Sequence, residues 1–298
     1  MSINHERPPL ARFVRHSLWF MLCLSMLAAG TPTRVSAGSE YVPMVGQPGK
    51  NVEWLPTCQL LVDTMLDMAE VSPEDYVMDL GSGDGRTVIT AAKRGARALG
   101  IEYNADMVAL SKRNAAREGV SDNALFVKGD LFEIDFQQAT VITMFLLPEI
   151  NMELRPRILD LKPGTRIVSN TFTMGDWMAD ETVILEEKKD CNYHTALLWV
   201  VPAKVEGTWK LAQGELKLEQ QYQVLSGTLT SSAKTMPVTN GKLSGDLINF
   251  SVGDANYTGR VLGGAMEGTF QSGGNTTPWT ATKVVDQSSL ESPEQLNR

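Results

Sequence analysis

At 298 residues, with 43% apolar side chains and a formal charge of −8, the chain is long enough for more than one domain and apolar enough for a buried core. The acidic balance argues against a nucleic-acid partner, because phosphate binding relies on clustered Lys and Arg. The three histidines are scattered and no His/Cys/carboxylate cluster has metal-ligand spacing, so no metal site is expected.

At the N-terminus, Arg12, Arg15 and His16 precede an apolar run over residues 18–29, and Val35-Ser36-Ala37 offers a small-residue cleavage site before Gly38. This reads as a signal peptide over residues 1–37 and an exported, periplasmic protein. The alternative is an uncleaved membrane anchor over residues 17–30, although the run is shorter than the roughly 20 residues that span a bilayer. Leu22 before Cys23 speaks against a lipoprotein box. Cleavage would remove four basic residues (Arg7, Arg12, Arg15, Arg34) and one acid (Glu6), taking the charge from −8 to −11. Cys58 and Cys191 would remain; an oxidising compartment permits them to pair but their spacing does not require it, and free, buried thiols are expected.

Residues 38–55 are rich in Gly and Pro and read as an extended arm. Thr57 is placed to cap a helix that runs to Ala69. Next comes the strongest local signal, Val77-Met78-Asp79-Leu80-Gly81-Ser82-Gly83-Asp84-Gly85: an apolar strand, an acid, then a turn whose glycines let a ligand approach main-chain N–H groups. A helix follows from Arg86 and ends near Gly95, its N-terminal amides suited to an anionic ligand group. A second strand over residues 98–101 ends at Glu102, about 20 residues after the turn, where dinucleotide folds place a ribose-binding acid. A tight strand-to-helix connection without a ligand would also produce such a turn. A nicotinamide fingerprint would want glycine where Arg86 stands, and Asp79 suits a cationic or amino-bearing ligand better than a pyrophosphate.

Asn104 caps a helix that Gly119 stops, residues 141–145 and 166–171 read as strands, and a helix through residues 154–159 ends before Pro163-Gly164. Residues 182–185 and 195–201 read as a closing strand pair. The alternation from Asp75 to Pro202 predicts an α/β module with a mostly parallel sheet and helices on both faces. After Pro202 the pattern changes to short alternating strands at residues 207–211, 215–218, 227–230, 247–251, 266–270 and 278–282. They predict a small antiparallel all-β domain over residues 203–285, a meander that closes as a barrel or half-barrel. The recurring Gly with Thr or Asp reads either as repeated hairpin chemistry or as ordinary β composition. Residues 286–298 read as a disordered tail.

The acid, apolar residue and G-x-G-x-G of Asp79 to Gly85 resemble the first motif of the class I S-adenosylmethionine-dependent methyltransferases. The resemblance implies a Rossmann-like seven-stranded sheet and S-adenosylmethionine held by Asp79, Gly81, Ser82 and Gly83. Further along, it gives Glu102 the ribose hydroxyls, Tyr103 the adenine face, and Asp130, with Leu131 beside it, the adenine amino group. It makes Trp54 and Thr57 candidate lid residues, with plain packing on the sheet edge as the alternative. Glu149, after the fourth strand, becomes the candidate catalytic residue or, alternatively, a helix-start acid.

Over about residues 52–180, Asp79-Leu80-Gly81-Ser82-Gly83-Asp84-Gly85-Arg86 and Gly100-Ile101-Glu102-Tyr103-Asn104 are similar to a bacterial branch akin to the mitochondrial protein-lysine methyltransferases that modify membrane proteins of energy metabolism. That implies a protein amine (lysine) or a small molecule as acceptor, with peripheral contact with membrane proteins. The asparagine-proline-proline-tyrosine signature of amide or adenine nitrogen methylation is absent. S-adenosylmethionine is made in the cytoplasm, so an exported enzyme needs a supply. This leaves a second reading open, a non-catalytic exported binding protein that uses the same fold and the β domain for recognition.

Overall fold

The computed structural model describes residues 40–186, 191–232 and 234–284. The signal or anchor segment, residues 38 and 39 at the start of the arm, and the tail over residues 286–298 lie outside the described residues. Among the described residues no helix is long and apolar enough to cross a membrane.

Strands β1 (Tyr76–Leu80), β2 (Arg97–Glu102), β3 (Ala124–Lys128), β4 (Val141–Met144), β5 (Arg166–Asn170), β6 (Glu181–Ile184) and β7 (Thr195–Val200) form one seven-stranded sheet. Their order is β3-β2-β1-β4-β5-β7-β6, and β7 alone runs antiparallel to its neighbours. Helices α1 (Gln59–Met68), α2 (Arg86–Lys93), α3 (Ala105–Arg117) and α4 (Pro148–Leu159) cover it on both faces. A sheet buried on both sides needs apolar residues of either parity, and the strands supply them. Val77, Val141 and Val168 pack with α1, α2 and α3, while their neighbours Met78, Ile142 and Ile167 pack with α4.

Two local expectations change. Thr57 does not cap α1: the N-cap is Cys58, which gives no side-chain cap, and the Thr57 hydroxyl instead accepts from Asn170 Nδ2 at 3.1 Å. Nor are the thiols free, because Cys58 and Cys191 form a disulfide with a Cα–Cα distance of 5.2 Å, inside the range that a disulfide needs. The Asn104 cap is present, with its Oδ1 accepting from Asp106 N at 2.8 Å.

The remaining strands are β8 (Gly207–Leu211), β9 (Gly214–Gln221), β10 (Val224–Ser231), β11 (Lys234–Ser244), β12 (Leu247–Val252), β13 (Ala255–Leu262), β14 (Ala265–Ser272) and β15 (Asn275–Lys283). They make a closed eight-stranded antiparallel barrel rather than simply a small β domain, with β15 pairing back to β8. Closure removes the exposed edges of a meander. Eight strands enclose an interior narrow enough for side chains to fill, and here the buried Trp209, Phe250, Tyr257 and Trp279 fill it. Phe250 and Tyr257 stack with centroids 4.7 Å apart, so the barrel is a packed core and not a ligand cup.

The barrel is fixed to the sheet through the segment after β5. Trp177, fully buried, donates from Nε1 to Gln223 Oε1 at 2.9 Å and stacks on Tyr222 at 5.8 Å. Gln223 Nε2 donates to Met178 O at 2.8 Å, and Trp199 Nε1 to Trp177 O at 2.8 Å. Arg155, from α4, bonds Met174 O at 2.8 Å and Asp176, which also accepts from the Tyr222 hydroxyl at 3.0 Å.

Candidate functional site

In the sheet order the connections reverse between β1 and β4, and the crevice at that switch point is where an open α/β sheet binds ligands. A cavity of about 690 Å³ opens there, at the carboxyl ends of the strands. Its lining follows the sheet order. Asp130 and Leu131 lie after β3, Glu102 and Tyr103 at β2, Asp79 to Asp84 at β1, Phe145 after β4, Phe172 after β5 and Tyr193 before the antiparallel β7. The cavity therefore runs from an acidic end to an aromatic end.

The glycine turn is closely built. Gly83 sits at φ +53, and a Cβ there would fall 2.5 Å from Trp54 Nε1, so only glycine lets the arm's indole close on the turn. Gly85, at φ +85, turns the chain into α2 where a Cβ would meet Phe126 and Ser111 below 3 Å. Glu102 organises the turn from β2: Oε2 accepts from Gly83 N at 3.0 Å and Oε1 from Asn104 N at 2.8 Å. Arg86, the residue that replaced a fingerprint glycine, is a clamp. It forks onto Asp84 at 3.0 and 2.5 Å and donates from Nη1 to Thr57 O at 2.7 Å, joining the turn to the start of α1.

Asp79 is buried at the floor of the cavity. Its Oδ1 accepts from the Thr143 hydroxyl at 2.6 Å, and among the described residues its other oxygen takes no hydrogen bond. Burial, reinforced by the negative charges of Glu102 and Asp84 and opposed by the Thr143 bond, pushes its carboxyl up to about 7. A carboxyl with that free oxygen facing a cavity suits a cationic ligand group.

The arm covers the acidic end. Residues 44–54 fold back on themselves through Gly46 N to Trp54 O and Trp54 N to Gln47 O, both 2.9 Å. Lys50 pairs with Asp130 and lies 4.9 Å over the Tyr103 ring, on the two side chains expected to meet an adenine. The bond to Lys50 holds the Asp130 carboxyl below its ordinary range. This exposed pair is screened by solvent and readily displaced. Trp54 and Thr57 both line the cavity.

Glu149 is in the first turn of α4, exposed and outside the cavity lining; its neighbours Leu147 and Ile150 line it instead. That is where the helix dipole favours an acid. Sequence patterns did not single out the aromatic end. Phe145 and Tyr193 pack edge to face at 5.0 Å, with Phe172 at 5.9 and 6.1 Å from them. Phe172 is aimed by the left-handed Thr171, at φ 63, an uncommon backbone for a β-branched residue and one that clusters at functional sites. No metal cluster occurs among the described residues.

Residues 79–181 match the family model described as the ANTKMT methyltransferase domain. The chain is 42% identical over 164 residues to a protein-lysine N-methyltransferase of Saccharolobus islandicus, covering 54% of this chain and 96% of that protein. It is 32% identical over 138 residues to the adenine nucleotide translocase lysine N-methyltransferase of Mus musculus, 46% of this chain and 56% of the mouse protein. The chain thus covers little more than half the length of that mouse relative. Among solved structures, a Salinibacter ruber RNA methyltransferase in complex with S-adenosyl-L-homocysteine is 45% identical, with 51% of this chain and 96% of that chain covered and a TM-score of 0.48.

Proposed function

Because the chain belongs to the family of S-adenosylmethionine-dependent methyltransferases that includes the Saccharolobus islandicus protein-lysine N-methyltransferase, we propose that it methylates the side-chain amine of a lysine in a protein. The observation that carries this reading is the 42% identity over 96% of that relative. Among the described residues the cavity is lined by two cations, Lys50 and Arg86, and Arg86 is committed to Asp84, so no cluster of free cations of the kind that holds a nucleic-acid backbone lines it. The reading as a non-catalytic binding protein has no support in these relatives.

Bound S-adenosylmethionine supplies an electrophilic methyl group on a sulfonium. The residues present fit that cofactor: Glu102 for hydroxyls, Asp79 for positive charge, the Gly81–Gly83 backbone for close approach, and Tyr103 and Asp130 for the base once Lys50 is displaced. At the other end Phe145, Phe172, Leu146 and Ile150 exclude water. Among the described residues no carboxylate is placed at that aromatic end, so an entering amine gives its proton to solvent. The chain's contribution to the reaction is alignment and exclusion of water rather than a strong base.

We also propose an exported location. The N-terminal segment supports it, as does the Cys58–Cys191 disulfide, a bond that persists in oxidising compartments. An intact N-terminus on protein from the cytoplasmic fraction would overturn this part.

Isothermal titration tests the cofactor site. The wild type binds S-adenosylmethionine, and Glu102→Ala weakens it roughly 10- to 100-fold, the worth of charged hydrogen bonds plus a loosened turn. No binding to the wild type at millimolar ligand would sink the reading. For Glu149→Gln, kcat/KM stays within about twofold if the residue is a helix-start acid. A hundredfold fall would make it catalytic.

A further inference from the structure

Three aromatic rings from three separate segments meet at the end of the cavity away from Asp130, and one of them sits two residues from the disulfide. Tyr193 follows Cys191 on the segment that leads into β7, and its ring is in contact with Phe145 and Phe172. Cys58, at the other end of the bond, is the N-cap of α1 and is firmly held. Its neighbour Thr57 accepts from Arg86 on its carbonyl at 2.7 Å and from Asn170 on its hydroxyl at 3.1 Å. Phe172 is fixed separately, its carbonyl accepting from Ser169 Oγ at 2.8 Å and Asn151 Nδ2 at 3.3 Å.

We infer that Phe145, Phe172 and Tyr193 form a subsite for the cationic amine head group of the acceptor, and that the Cys58–Cys191 disulfide is the positioning element that keeps Tyr193 in it. The inference rests on the methyltransferase reading and names what the far end of the cavity recognises. Ring faces attract a desolvated ammonium through their quadrupole. The acceptor nitrogen is positive before it loses its proton and again once it carries an added methyl, so such a wall favours an amine over a hydroxyl or thiol acceptor. The disulfide closes a loop of 133 residues and ties the segment before β7 to the anchored start of α1, and among the described residues Tyr193 has no long-range hydrogen bond.

Two nucleosides separate the cofactor end from the acceptor end: S-adenosylhomocysteine, which stops at sulfur, and sinefungin, in which an amine stands where the transferable methyl group is. Both are titrated calorimetrically into the oxidised wild type, the reduced wild type and oxidised Tyr193→Leu. The oxidised wild type prefers sinefungin by about tenfold, the factor a desolvated cation–π contact confers. Tyr193→Leu and reduction bring the preference close to one, while the Kd for S-adenosylhomocysteine stays within about twofold.

If Tyr193→Leu keeps the preference, the subsite is overturned. If reduction keeps it while Tyr193→Leu loses it, the disulfide's role is overturned. Equal losses for both nucleosides would mean general disruption and would also overturn the proposal. Tyr193→Leu retains the disulfide, so the test does not depend on the reduced chain staying folded. If neither nucleoside binds the wild type, it is the methyltransferase reading that fails.

Discussion

Replacing Asp79 with asparagine is expected to abolish cofactor binding and, in the same protein, to raise the thermal midpoint of the ligand-free chain at pH 8. Both effects come from one buried carboxyl whose pKa is raised from 3.8 to about 7, first by burial and then by Glu102 and Asp84. Between those values the folded chain holds a proton that the unfolded chain has released. The stability tied to this group is therefore full below about pH 4, declines across the interval and is gone above about pH 7. At pH 8 the wild type buries an anion, whereas asparagine keeps an acceptor for the Thr143 hydroxyl without the charge. The gain is on the order of 1–3 kcal/mol, or a few degrees in calorimetry.

Binding moves the other way. A cationic ligand group needs the carboxylate, so wild-type affinity rises as pH rises through about 7, and binding below that pH releases a proton. Titration in buffers of different ionisation enthalpy measures the release directly. Asp79→Asn protein that bound S-adenosylmethionine as tightly as the wild type would remove Asp79 from the site.

The second large effect is structural. Trp177→Ala removes a fully buried indole that stacks on Tyr222 and bonds Gln223, at the junction of sheet and barrel. The expected cost is about 3–5 kcal/mol for the lost packing and cavity, with the unpaired Gln223 carbonyl adding to it. Because the barrel has its own filled core, the wild type is expected to melt in one transition and the variant in two, the sheet melting first. A single unshifted transition would mean that the junction contributes little to stability.

The cofactor end was legible because its signals are local. Asp79, the glycine turn and Glu102 fall within a strand, a turn, a helix and a strand, and parallel pairing of β1 with β2 brings Glu102 against Gly83. The aromatic end was not legible, because Phe145, Phe172 and Tyr193 are single aromatic residues near strand ends that only the order β4-β5-β7 makes neighbours. The disulfide was missed for the same reason, since nothing local joins Cys58 to Cys191. In the barrel, β11 and β13 escaped notice: in β11 a bulge between Thr239 and Lys242 shifts the inward positions from Val238 to Gly241 and Leu243, and in β13 Gly259 stands between the inward Tyr257 and Val261, so the alternation is hidden in both. Lys50 was not expected on Asp130, as the ion pair spans 80 residues.

The central claim, methyl transfer to a protein amine, is tested by supplying the purified enzyme with methyl-labelled S-adenosylmethionine and a cell-envelope protein extract, then hydrolysing the product and separating its amino acids. The account predicts label in methylated lysine, and none with Asp79→Asn enzyme. Label recovered in nucleic acid, in a small molecule or in no product at all, from an enzyme that binds the cofactor, would contradict it.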